Sequence, residues 1–174
     1  FRGAGQEKLV LLRYAGGGIK RVAELPFGRF EDVDADGKLE IVSRARPLGQ
    51  WFQIECEAFH SMADAAFRTT IHGWKGAELV SASKRYPGYF REEIRRREAE
   101  LAGISPRGTE DYGGFLGSAL SLYFDYAELG QGQTGWRKFT ALFPVRAIDP
   151  PPVKRCAREM EATLRERLGI PEGG

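Results

Sequence analysis

The chain has 174 residues, 42% of them hydrophobic, with 26 Lys and Arg against 24 Asp and Glu. A formal charge of +2 is too balanced for a protein that lives on a phosphate backbone, and 29% charged with 11% aromatic residues excludes disorder. No stretch approaches the roughly 18–20 apolar residues of a transmembrane span, which leaves a soluble α+β domain long enough to bury a core without staples.

Residues 1–85 read as β-rich and residues 86–174 as helical, with an antiparallel β-rich half packed against a helical half in a single domain over 1–174. Leu9 to Tyr14 is an apolar run, and Gly16-Gly17-Gly18 turns it into Ile19 to Leu25. Leu39 to Ser43 follows an Asp-rich loop, with Leu39 and Ile41 on one face and Glu40 on the other. Phe67 to Trp74 alternates, Lys75-Gly76 is a tight turn, and Ala77 to Ser81 returns, which predicts a hairpin.

After Pro87 the period changes to about 3.6. Phe90, Ile94, Arg97 and Leu101 make one helical stripe, Gly103 caps it, and Pro106 prevents continuation. Thr109 is read as the N-cap of a second helix ending near Leu129, weakened by Gly113, Gly114 and Gly117. Thr134 is read as the cap of a short helix through Phe143. Pro150-Pro151-Pro152 is a rigid joint, and Val153 to Leu168 forms the last helix, ending at Gly169. The run Arg91 to Glu98 places Glu92 opposite Arg96 and Glu93 opposite Arg97 at i,i+4. It predicts a solvated, ion-paired helix face rather than a nucleic-acid surface.

Cys56 and Cys156 are the only cysteines, too few for a four-thiolate zinc site. Paired, they would close a loop of about 100 residues and gain about 4–5 kcal/mol of chain entropy; unpaired, they are two core thiols. Both readings stay open. A start at Phe1 rather than Met is read as processing or trimming.

The segment that carries chemistry is Phe27 to Val42. Asp32, Asp34 and Asp36 occupy positions one, three and five of D-x-D-x-D-G, a spacing that lets three carboxylates converge on one hard cation. Gly37 allows the sharp turn that brings in the Lys38 carbonyl at position seven. Glu40 binds at position nine, directly or through water, and Leu39 is expected to anchor the outgoing strand in the core. Oxygen-only ligation favours Ca²⁺ over zinc or copper. A solvated Asp/Gly hairpin without metal is the simpler alternative. Position twelve is Ser43 rather than a bidentate Glu, and the flank is strand-like, so a helix–loop–helix calcium sensor is not expected.

Phe27-Gly28, the three aspartates and the strand after them resemble the FG-GAP type of calcium loop, over about sixteen residues. That family repeats the loop across propeller blades; one copy here implies no propeller. Single copies with a similar pattern, followed by a Trp-Lys-Gly hairpin and a segment like Lys84 to Phe90, look like those of small exported bacterial proteins of unknown function. The resemblance implies a periplasmic or extracellular calcium-bound domain and supplies no reaction.

Other constellations are less specific. Gly130-Gln-Gly132-Gln-Thr-Gly135 matches G-x-G-x-x-G, but a helix precedes it where a dinucleotide site needs a strand, so it reads as a helix–helix connection. Cys56, His60 and Asp64 would align on a helix as a thiol–imidazole or metal set. Trp51, Phe52, Trp74, Tyr86, Tyr89 and Phe90 are read mainly as filling between sheet and helix. The leading expectation is a non-enzymatic exported domain with a structural Ca²⁺ in the 32–40 loop, presenting a surface to a protein or cell-envelope partner and not to nucleic acid. The competing expectations are an envelope hydrolase or thiol enzyme near Cys56, His60 and Asp64, and an inhibitor or immunity protein.

Overall fold

An apolar run and a glycine turn make the first element an antiparallel hairpin, β1 (Lys8–Ala15) and β2 (Gly18–Pro26). Gly16 and Gly17, at φ 60° and 77°, supply the two left-handed residues that a two-residue hairpin turn requires. A second, four-stranded antiparallel sheet follows in the order β3 (Gly28–Glu31), β4 (Glu40–Ala45), β5 (Arg68–Lys75), β6 (Glu78–Ser81). The helices are α1 (Pro87–Gly103), α2 (Tyr112–Glu128), α3 (Gly132–Leu142) and α4 (161–167). This computed structural model describes residues 8–49, 66–104, 112–142 and 161–170. The fold is α+β, with antiparallel sheets in the N-terminal half and helices in the C-terminal half. Trp51, Phe52, Cys56, His60, Asp64, Thr109, Phe143 and Cys156 lie outside the described residues.

Strand β4 is covered on both faces. On one, Val42 pairs with Ile71 and packs with Phe90 of α1, supported by Tyr86, Tyr89, Val33 and Leu129. On the other, Leu9 of β1 reaches over Gly28 towards Ile41; a Cβ at Gly28 would lie 3.2 Å from Leu9 Cδ2 and 3.5 Å from Ile41 Cγ2. Two-sided cover corrects one sequence expectation. Leu39 stands before the strand and is 56% exposed, whereas Glu40, the first strand residue, is 7% exposed. Alternation cannot sort core from solvent when both faces of a strand are buried. Trp74 is likewise half-exposed rather than core, while Phe90 is fully buried as expected.

In α1 the stripe Phe90, Ile94, Arg97, Leu101 is the buried face, as its spacing predicts. Gly103 belongs to the last turn, and the cap is Ile104 in extended conformation. The helix core gathers Ile94 and Leu101 with Leu116, Leu120, Phe124, Trp136, Phe139 and Leu164. Helix α2 ends in a Schellman motif. Gln131 N–H donates to the Tyr126 carbonyl at 2.9 Å, and Gly130 N–H, at φ 74°, donates to that of Ala127 at 2.9 Å. Helix α3 begins at Gly132, so Thr134 lies inside it rather than capping it. The G-x-G-x-x-G run is thus a helix–helix joint. Gly130 closes α2, Gly132 opens α3, and Gly135 lets the two backbones touch: a Cβ there would meet Tyr126 Cβ at 2.7 Å and the Tyr123 carbonyl oxygen at 3.0 Å.

The charge run of α1 is only partly a solvated face. Glu92 pairs with Arg95, and Arg96 with Glu93 and Glu100, instead of the expected Glu92–Arg96 pair. Glu93 does approach Arg97, at 3.8 Å, and Arg44 of β4, at 3.9 Å. Arg97 itself is buried, and its Nε donates to Asp125 Oδ2 of α2 at 2.6 Å. Burial pushes the fully buried Asp125 carboxyl up from 3.8 to about 6, with Arg97 as the main opposing influence.

Two outcomes are expected. Gly135→Ala adds about 1 kcal/mol of helix propensity but forces a methyl against backbone, so the net effect is a loss of about 1–3 kcal/mol in urea unfolding. For Asp125, a folded-state pKa above the unfolded value means stability that is fully present below about pH 4 and lost as pH rises through about 6. The stability of wild type relative to Asp125→Asn is therefore expected to fall between about pH 4 and pH 7, by at most about 3 kcal/mol. Urea melts across that range check it, and a difference independent of pH contradicts it.

Candidate functional site

The loop between β3 and β4 is shaped by its first aspartate. Asp32 Oδ1 accepts the Asp36 N–H at 3.0 Å and Oδ2 accepts the Gly37 N–H at 3.0 Å, so one carboxylate closes the turn. The path needs left-handed backbone at Ala35 (φ 59°) and Gly37 (φ 84°). Glycine takes that conformation freely, whereas at alanine it costs about 1–2 kcal/mol.

Within this turn the carboxylates of Asp32, Asp34 and Glu40 bring one oxygen each to within 4.8 Å of one another. Asp32 and Asp34 are exposed and Glu40 is buried, so the set has an open side and a fixed floor. Glu40 Oε2 accepts the Val33 N–H at 3.1 Å. The Tyr86 hydroxyl lies beside Glu40. Burial first, then the Glu40 contact and the negative charges of Glu40 and Asp34, raise the phenol's pKa above its ordinary value. Asp36 is turned away: its Oδ1 accepts the Lys38 N–H and its Oδ2 the Lys38 Nζ, both at 2.8 Å. The Lys38 contacts hold the Asp36 carboxyl below its usual range, and Asp36 in turn raises the Lys38 ammonium. Three of the five ligand positions expected from the spacing therefore converge by their side chains, and Asp36 and Lys38 pair with each other.

Three ionised carboxylates at this separation repel by about 1 kcal/mol per pair even in a water-like dielectric. A hard divalent cation at 2.3–2.6 Å from their oxygens reverses the sign of that balance. The donor set is oxygen only, which suits Ca²⁺ or Mg²⁺ and not a thiophilic metal.

Three further residues escaped the sequence pattern. Tyr86 lies far downstream of Glu40 in sequence and comes beside it only because α1 starts at Pro87 against the sheet. On the opposite face of the sheet, Ser43 Oγ and His72 Nε2 lie 2.9 Å apart, and Ser43 Oγ donates to the Thr70 carbonyl at 3.3 Å. With Ser43 Oγ donating to the Thr70 carbonyl, the His72 Nε2–H tautomer donates to Ser43 Oγ, which gives the hydroxyl one donor and one acceptor. Ser43 is buried, and burial lowers the His72 pKa against the opposing influence of Glu128, so the imidazole is neutral near pH 7. That makes the pair a cross-strand link rather than an exposed nucleophile.

No sequence family, curated protein or solved structure matches the chain.

The loop geometry has a direct check. Ala35→Gly relieves a left-handed alanine and is expected to leave stability unchanged or raised by up to about 1 kcal/mol, whereas Gly37→Ala is expected to lower it by about 1–2 kcal/mol. Chemical denaturation of the two variants separates them.

Proposed function

We propose that the Asp32–Glu40 loop holds a structural Ca²⁺ in a non-enzymatic, exported domain that presents a surface to a protein or cell-envelope partner. The observation that carries this reading is the convergence of Asp32, Asp34 and Glu40 oxygens within 4.8 Å on one side of a turn. The rigidity of the floor supports it as well. Glu40 is buried and accepts the Val33 N–H, so binding orders few new groups. Asp34 is the exposed carboxylate that would close over the ion, and Asp36 and the Lys38 carbonyl are the remaining donors of the sequence pattern. Bound there, the ion supplies charge neutralisation and a tie between the start of the loop and the start of β4. The resemblance to single-copy FG-GAP loops supports export, where Ca²⁺ is abundant enough for weak sites to fill.

Ligand that binds the folded state alone raises stability by RT ln(1 + [L]/Kd), about 2.7 kcal/mol at one hundred times Kd. The melting temperature is therefore expected to rise with added Ca²⁺, to fall with chelator, and to respond to neither in Asp34→Ala. Identical melting of wild type with Ca²⁺ and with chelator rules the site out.

A further inference from the structure

Among the described residues, four buried side-chain polar atoms have no hydrogen-bond partner, and three of them share one region between the sheet and the first two helices. They are Arg44 Nε, Thr69 Oγ1 and Asp125 Oδ1; the fourth, Trp136 Nε1, belongs to the helix core.

Register sets the first two side by side. Arg44 of β4 and Thr69 of β5 are direct cross-strand partners, two residues along from the Val42–Ile71 pair, so both stand on the face that α1 covers. Helix α2 brings Asp125 over them. Ser121, one turn before Asp125, accepts the Phe67 N–H on its Oγ at 2.9 Å. Leu129, one turn after Asp125, packs against the cluster of Val42, Ile71 and Phe90. Four helical residues rise about 6 Å and two strand residues about 6.6 Å, so the helix and β5 keep step. Between Phe67 and Ile71, the residue level with Asp125 is Thr69. The charge of Arg44 also acts on Asp125.

The rest of each charged group is already engaged. Asp125 Oδ2 accepts from Arg97 Nε at 2.6 Å, and Arg44 Nη2 lies 3.9 Å from Glu93. Thr69 and Asp125 are fully buried, so bulk solvent does not reach them. Each orphaned atom in such a place costs about 1–3 kcal/mol unless something bridges the gap. An Nε–H only donates, a carboxylate oxygen only accepts, and a hydroxyl does either. A bare anion is repelled by Asp125 and Glu93, and a bare cation by Arg44 and Arg97. One small neutral molecule that both accepts and donates suits all three atoms.

We propose that Arg44, Thr69 and Asp125 hold one internal water molecule, which accepts from the Arg44 Nε–H and the Thr69 hydroxyl and donates to Asp125 Oδ1. Three hydrogen bonds to otherwise unsatisfied buried groups is the usual coordination of such a water. It extends the Arg97–Asp125 pair to β4 and β5, so that the polar network runs unbroken from α1 through α2 into the sheet. The site lies at the opposite end of β4 from Glu40 and is independent of the cation loop.

The test pairs a crystal structure of the full chain, at a resolution that shows ordered water, with oxygen-17 relaxation dispersion in solution, which counts long-lived internal waters. Density within hydrogen-bond distance of all three atoms is the expected result. The dispersion amplitude is expected to fall by one water in Thr69→Val, which keeps the volume and drops the hydroxyl, and to be unchanged in Thr69→Ser. A chain of this length holds about six buried waters, so the difference between variants is the reading rather than the total. Absence of that density, a direct bond between Asp125 and Thr69 or Arg44 in its place, or equal amplitude in wild type and Thr69→Val overturns the proposal. The wild-type crystal structure decides alone if Thr69→Val fails to fold.

Discussion

One buried charge pair, Arg97 with Asp125, ties the first two helices together at the centre of the helical half. Its hydrogen bond, at 2.6 Å, joins α1 to α2, and Glu93, one turn before Arg97, extends the network to Arg44 in the central strand. Removing one partner of such a pair typically costs about 3–5 kcal/mol, because the other is left charged and dry. That is a large share of the roughly 5–15 kcal/mol that holds a domain folded. Apolar packing between α1 and the sheet is non-directional and tolerates sliding; a hydrogen-bonded ion pair fixes both the register and the rotation of α1. Two atoms of the cluster, Arg44 Nε and Asp125 Oδ1, are buried without a hydrogen-bond partner among the described residues. The network is incompletely satisfied by its own members, and burial, opposed by Arg97, raises the proton affinity of Asp125.

The position of α1 sets the position of the cation loop. Because Pro87 begins α1 where it does, Tyr86 lies against Glu40 and Phe90 against Val42 and Ile71. Glu40 then has a phenol beside it on the helix side and accepts the Val33 N–H from its own loop. On the far face of the sheet, Leu9 and Gly28 seat the β1–β2 hairpin over Ile41. The hairpin thereby covers the sheet with one of its faces and leaves the other apolar face in water. Cation loop and exposed hairpin are separate consequences of one central strand buried from both sides.

The elements were legible where a single physical cause acts. The 3.6-residue stripe Phe90, Ile94, Arg97, Leu101 marks the buried face of α1, even at Arg97, where the burial is ionic rather than apolar. Glycine turns located both hairpins and the joint between α2 and α3, because left-handed backbone and close helix approach select glycine locally. What misled was alternation in β4. With cover on both faces, Glu40 is buried and Leu39 is not, the reverse of the simple pattern. The ion pairing of α1 was likewise misassigned for Glu92, since long side chains at i,i+3 compete with those at i,i+4.

The sequence by itself determined the fold class, the helix stripe, the turn positions and the oxygen-rich loop at 32–40, since these follow from local spacing and backbone preference. Tertiary structure alone decided which carboxylates meet. Asp32, Asp34 and Glu40 converge while Asp36 folds back on Lys38, because the Asp32 carboxylate closes the turn and the Val33 N–H holds a Glu40 that the surrounding packing buries. It also decided that Asp125 is the partner of Arg97 and that Leu12, Tyr14 and Ile19 face outwards. Both depend on contacts between segments far apart in the chain, and no periodicity within one segment encodes what packs against it.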